Sequence, residues 1–278
     1  MNHDTASFAI TTICKSLWRS ALLVGALAFV GSSHAQTNAL SFDGVNDRVD
    51  CGSAASIDIA GTGFTMEAWI YPTSWQTNTY QGDIINKESS SGGGVYTLRC
   101  GAGGKLNANI HLGADIETPT AVLTLNTWQH VACTYDGDSV RFFVNGIQVY
   151  TVARTGSMIT SPGIPLSIGN SFNYPDRGFP GKIDEVRIWN IPKTGASILA
   201  HMNTAYCGTE AGLMAYYRFD QGISGGANPT ETTLTDLTSN ANNGTLTNFA
   251  LTGATSNWED GVTGISACVP VTCPSPIG

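Results

Sequence analysis

Between Leu40 and Asn190, short runs of alternating apolar and polar residues follow one another, most of them closed by Gly, Asn or Asp. A period of two sends successive side chains to opposite faces of an extended chain, so each run reads as one strand. In FTMEAWIY (64–71), Phe64, Met66, Ala68 and Ile70 share one face, and Thr65, Glu67, Trp69 and Tyr71 the other. Both faces carry apolar or aromatic groups, which predicts a central strand covered on both sides. LSFDG (40–44), RVDCG (48–52), GDIINK (82–87), VYTLRCG (95–101), KLNANIHL (105–112), IPLSIG (164–169) and GKIDEVRIWN (181–190) are further short runs of this kind. About ten such strands predict an all-β, two-sheet antiparallel sandwich or jelly roll.

The segment WQHVACTYDGDSVRFFVNGIQV (128–149) adds three strands. Asp136-Gly137-Asp138 and Asn145-Gly146 are turn signals, the second a strong one for a two-residue hairpin. Val131, Cys133 and Tyr135 share a face, as do Val140, Phe142 and Val144, so a meander with one core face is expected. Only Lys193–Asn203 reads as a helix, with Thr194 as N-cap. Ile198, Leu199 and Met202 would pin it to the sandwich surface. LMAYYRFDQG (213–222) and NNGTLTNFAL (242–251) are later strand-like pieces.

The chain has 278 residues, enough for a sizeable core. Its charged fraction is 12%, and its net charge of −8 comes with no basic run. Nucleic acid and anionic membrane are therefore excluded as expected partners. Lys15 and Arg19 precede an apolar run, Ser20 to Gly31, and Ser33-His34-Ala35 supplies small residues before Gln36. This predicts a signal peptide over 1–35, a secreted or cell-surface product and no membrane span after cleavage. Export leaves Cys51, Cys100, Cys133, Cys207, Cys268 and Cys273, an even set that predicts disulfides with the pairing open. The expected organisation is a jelly roll over 36–206 and a C-terminal β segment over 207–263 that packs on or completes it. A Cys/Pro tail at 264–278 reads as a linker within a longer protein.

FDGVNDRVDCG (42–52), FTMEAWIYP (64–72), WQHVACTYDGDSVRFFVNG (128–146) and GKIDEVRIWN (181–190) together resemble the laminin-G-like, concanavalin-A-like jelly roll of secreted bacterial proteins. The segment 212–253 resembles the element that accompanies this domain in bacterial members. The resemblance implies two apposed antiparallel sheets and, by analogy of fold, a part in glycan binding, adhesion or protein interaction. It also implies a structural Ca²⁺ near a sheet edge. The matching positions are Asp43, Asn46, Asp47 and Asp184, residue types that supply the oxygens calcium takes. The competing reading of Asp43 and Asn46 is a plain Asx turn with Gly44.

The same fold hosts glucanases, which need two carboxyl groups flanking a glycosidic bond. No single strand here presents such a pair. Asp184 and Glu185 are adjacent and should face opposite ways, although two strands could contribute one acid each. His111 and His130 read as half-exposed strand residues. Sugar faces stack on flat rings, and binding sites on rigid sandwiches sit in loops. Trp75, Tyr80, Phe172 and Tyr174 are the loop aromatics, with Asp176 and Arg177 as polar partners. Trp69, Trp128 and Trp189 read as packing residues. The sequence thus predicts a secreted, non-catalytic module that binds polysaccharide, glycoprotein or neighbouring domains. Its rivals are a glycosidase and a structural spacer whose loop aromatics would be buried.

Overall fold

The computed structural model describes residues 37–90 and 94–268. The alternating runs become strands because each carries one face of apolar side chains that only a second sheet can cover. In chain order they are β1 (Asn38–Asp43), β2 (Arg48–Asp50), β3 (Phe64–Pro72), β4 (Asp83–Glu88), β5 (Gly94–Cys100), β6 (Leu106–Asn109), β7 (Ile116–Glu117) and β8 (Gln129–Tyr135). There follow β9 (Ser139–Val144), β10 (Ile147–Ala153), β11 (Ser167–Ile168), β12 (Pro180–Trp189), helix α1 (Gly195–His201), β13 (Leu213–Tyr217), β14 (Thr233–Leu234), β15 (Gly244–Thr247) and β16 (Asn257–Asp260). One sheet runs β10-β9-β8-β3-β12-β1-β16, with β13 paired to β12; the other runs β14-β15-β2-β11-β4-β5-β6-β7. All named pairings are antiparallel. The predicted jelly-roll sandwich is the fold observed.

β3 is central, between β8 and β12, and its Phe64, Met66, Ala68 and Ile70 enter the core. They meet Tyr96, Leu98, Leu106, Ala108 and Ile168 of the second sheet in one continuous cluster. The hairpin at Asn145-Gly146 has φ of 51° and 75°, the left-handed pair that a two-residue turn requires. β7, β14 and β16 are strands that the sequence pattern did not reveal; two of them are only two residues long. The later segment adds strands to both sheets: β13 to β12, β16 to β1, and β15 to β2.

α1 begins with Thr194, whose side chain accepts a hydrogen bond from Ser197 N. Ile198 packs on Ala132 and Phe143, whereas Leu199 is exposed, so the pinning face is narrower than expected. The segment 190–212 lies over the outer face of the first sheet: Trp69 Nε1 donates to Met202 O at 2.9 Å, and Arg187 Nη2 to Thr204 O at 2.9 Å. A disulfide joins Cys207 to Cys268. Cys51, Cys100 and Cys133 are buried free thiols, contrary to the expectation drawn from an even count. All three lie in the apolar core, where burial pushes the Cys51 and Cys100 thiols up to about 12. The predicted signal segment, Cys273 and residues 269–278 of the tail lie outside the described residues.

β12 departs from the alternation expected of it. Asp184 stands opposite Trp69 and Arg187 opposite Glu67, with a bulge between them where Glu185 adopts φ of 51°. The extra residue breaks the alternation. Glu185 therefore reaches the outer face, accepting from Arg187 Nη2 at 2.6 Å, so Asp184 and Glu185 do not take opposite faces.

Candidate functional site

Three loops converge at one end of the sandwich. Gln76 Nε2 donates to Gly178 O at 2.7 Å and to Gly44 O at 3.0 Å. Gly82 N and Asp83 N both donate to Arg177 O, and Gln81 Nε2 donates to Asp176 O. Gly178 sits so close to Gly44 that a Cβ would fall 2.6 Å from its carbonyl carbon, which only glycine avoids. These bonds fix 43–47, 72–82 and 170–178 against one another.

The loop aromatics then part company. Tyr80 and Phe172 are 47% and 45% exposed, and Tyr174 is half-buried. The Arg177 guanidinium stacks 4.0 Å from the Tyr174 ring centre and lies 5.9 Å from that of Tyr80, both in cation–π range. Tyr174 OH donates to Ser90 O at 3.1 Å. Phe172 instead lies beside Arg48, at 4.8 Å. Trp75 turns inward against the core and over Gly104. Asp176 contributes its backbone carbonyl and leaves its side chain exposed. Tyr80, Tyr174 and Arg177 are thus brought together, while Trp75 and Phe172 are not part of that group.

Beside Arg177 lies a polar cluster that the sequence reading missed. Register places Asp83 opposite Arg99, Asn86 opposite Thr97 and Arg99 opposite Asn107, all on the outer face of the second sheet. Arg99 donates from Nε to Asp83, from Nη2 to Glu88 and from Nη1 to Asp115, each at 2.7 Å. Nη1 also meets Asn107 Oδ1 at 3.1 Å, and Arg177 Nη1 bonds Glu88 Oε2. Burial pushes the Asp83 carboxyl up to about 6, against the pull of Arg99 and Arg177. The Glu88 and Asp115 side chains remain 13% and 20% exposed, and Glu88 meets Arg177 where it lies over Tyr174. The signal was present in the polar positions of VYTLRC and KLNAN, whose Thr97, Arg99, Asn107 and Asn109 alternate with core residues.

The four expected calcium ligands do not form one set. Asp43 Oδ1 accepts backbone N–H bonds from Val45 at 2.8 Å and Asn46 at 3.1 Å, the geometry of an Asx turn. Asp47 accepts from Asp43 N at 2.9 Å and Ser256 Oγ at 2.8 Å. Asp184 lies four positions along β12 from Pro180, the residue opposite Asp43, and accepts from Val262 N at 3.0 Å. Donors aimed at these oxygens compete with a cation. Among the described residues, no three His, Cys, Asp or Glu side chains are grouped to hold a metal.

A second charge cluster lies beneath the 190–212 segment. His130 is buried with Nε2 3.4 Å from Glu67 Oε2, and Trp189 Nε1 donates to Glu67 Oε1 at 3.0 Å. This corrects the half-exposed expectation for His130. His111 is not in a strand either, since β6 ends at Asn109 and His111 has φ of 60°. Burial raises the Glu67 carboxyl, but His130, Arg187 and Trp189 outweigh it and hold its pKa at about 2. Trp69, at 7% exposure, and Trp189, at 1%, pack under this cover, and half-buried Trp128 lies beside Tyr71, in keeping with a packing role.

An antiparallel sandwich with a loop-built aromatic and polar rim defines a class of β-sandwich domains. The chain belongs to the concanavalin A-like lectin/glucanase superfamily, whose laminin-G-type model matches residues 43–199. Pappalysin-1 of mouse and of human are each 32% identical over 82 residues, which is 28% of this chain and 5% of theirs. A candidate carbohydrate-binding protein from Bacteroides ovatus ATCC 8483 is 25% identical with a TM-score of 0.59, over 76% of this chain and 58% of that one.

Proposed function

We propose that the chain is a carbohydrate-binding module of a secreted or cell-surface protein, which takes polysaccharide or glycoprotein glycan on the Tyr80–Arg177–Tyr174 rim. The observation that carries this reading is the Arg177 guanidinium over half-buried Tyr174 and near exposed Tyr80, paired with the part-exposed carboxylate of Glu88. Rings offer a sugar its apolar contact, and carboxylate oxygens accept its hydroxyl protons. The likeness to the Bacteroides ovatus protein supports the same class of ligand. Exposed Tyr80 and Phe172 weigh against a spacer. The Cys207–Cys268 disulfide and the predicted signal peptide support export.

The module is read as non-catalytic. Glycosidases use one carboxyl group as acid and a second as nucleophile or base. Here Asp83, Glu88 and Asp115 are clamped around Arg99, and Glu67 and Glu185 meet Arg187 under cover. A glycan array of the chain tests the whole reading. Retention of at least one glycan with no release of reducing ends supports it; a blank array with native folding supports the spacer, and product release supports the glycosidase.

A further inference from the structure

We propose a second ligand site on the first sheet, built for one or two sugar-sized polyhydroxy units and independent of the Tyr80–Arg177–Tyr174 rim. A cavity of about 450 Å³ lies on that sheet's outer face, between the β8–β9 hairpin and the start of α1. Its size falls within the roughly 300–1,000 Å³ range of small-molecule sites. Phe143 and Pro192 give it an apolar lining, and Asp136, Arg141, Gln148 and Thr194 a polar one.

The polar groups are positioned yet incompletely used. Asp136 is fixed by Asp138 N and Ser139 N, which donate to its Oδ1 at 3.2 and 2.9 Å. Arg141 Nη1 donates to Asp136 Oδ2 at 2.6 Å, and among the described residues its Nε and Nη2 have no protein acceptor. The Gln148 side-chain amide likewise has no protein partner there. Thr194 Oγ1 accepts from Ser197 N at 3.1 Å, which leaves its hydroxyl proton free to donate. Donors of Arg141 thus stand beside a carboxylate acceptor over an apolar floor. That pairing suits adjacent hydroxyls, each of which gives one hydrogen bond and takes another. The turn chemistry that the hairpin needs also pre-orients the acceptor.

The test is a titration of the ¹⁵N-labelled chain with methyl glycosides of glucose, galactose, mannose and xylose, followed by amide shifts. At least one probe should move Gln148, Thr194 and Gly195 saturably. Arg141→Ala and Gln148→Ala should each weaken that response about tenfold or more, whereas Tyr174→Ala should leave it unchanged. Shifts near Tyr174 without shifts at 148 and 194–195 overturn the second site alone. Shifts at 148 and 194–195 without any near Tyr174 support the second site and count against the rim. No shifts at either place overturn both, and a response that survives both substitutions overturns the proposed contacts.

Discussion

Arg99 decides the character of the rim, since its three nitrogens each hold a carboxylate. Removing it leaves buried Asp83 without its closest counter-charge. Arg99→Met should therefore cost about 3–5 kcal/mol in denaturant unfolding. Asp47 makes a pH-dependent contribution of opposite character. Burial raises its pKa to about 6 although Asp43 N and Ser256 hydrogen-bond to it. A folded pKa above the unfolded value near 4 means that the native state binds the proton more tightly. This contribution is present in full below pH 4 and is lost as pH rises through about 6. Wild type should gain up to about 2–3 kcal/mol over Asp47→Asn between pH 7.5 and 4. A pH-independent difference between the two would contradict the assignment. The Asx turn at Asp43 predicts a Tm that EDTA leaves within about 1 °C; the composition of the loop was legible, but the direction of its N–H groups is set only in the fold.

At the scale of elements, the regular strands were legible because a period of two must match a sheet with one buried face. What escaped were features without that period. The bulge at Glu185 flips a side chain by inserting one residue, and nothing in KIDEVRI marks where the insertion falls. The cluster around Arg99 escaped because its members come from β4, β5, β6 and the segment before β7, and only register brings them together. Cys100 and Cys133 are core residues in strands and Cys51 directly follows β2, places where a free thiol serves as a small apolar group. The one disulfide described closes a separation of 61 residues and ties the segment that follows α1 to residues beyond β16. Cys207→Ser with Cys268→Ser should lower stability by about 2–4 kcal/mol, read from the unfolding midpoint. An unchanged midpoint would show that the hydrogen bonds of Trp69 and Arg187 hold the cover alone.

Over the whole molecule, the two outer faces carry the same motif, an arginine ringed by carboxylates, with opposite access. Arg187 is sealed beneath the 190–212 segment, whereas the Arg99 cluster meets the surface through part-exposed Glu88 and Asp115. The sequence pointed to the loops that build this end of the sandwich and named Tyr80, Tyr174 and Arg177. It did not show which of six candidates would meet, because that depends on how three loops cross. The direct measurement is calorimetric titration of the chain with the strongest glycan from the array, for wild type and for Tyr80→Ala with Tyr174→Ala. The double variant should lose at least about tenfold in affinity, or ~1.4 kcal/mol, with its melting midpoint unchanged. Full affinity in that variant would contradict binding at the rim.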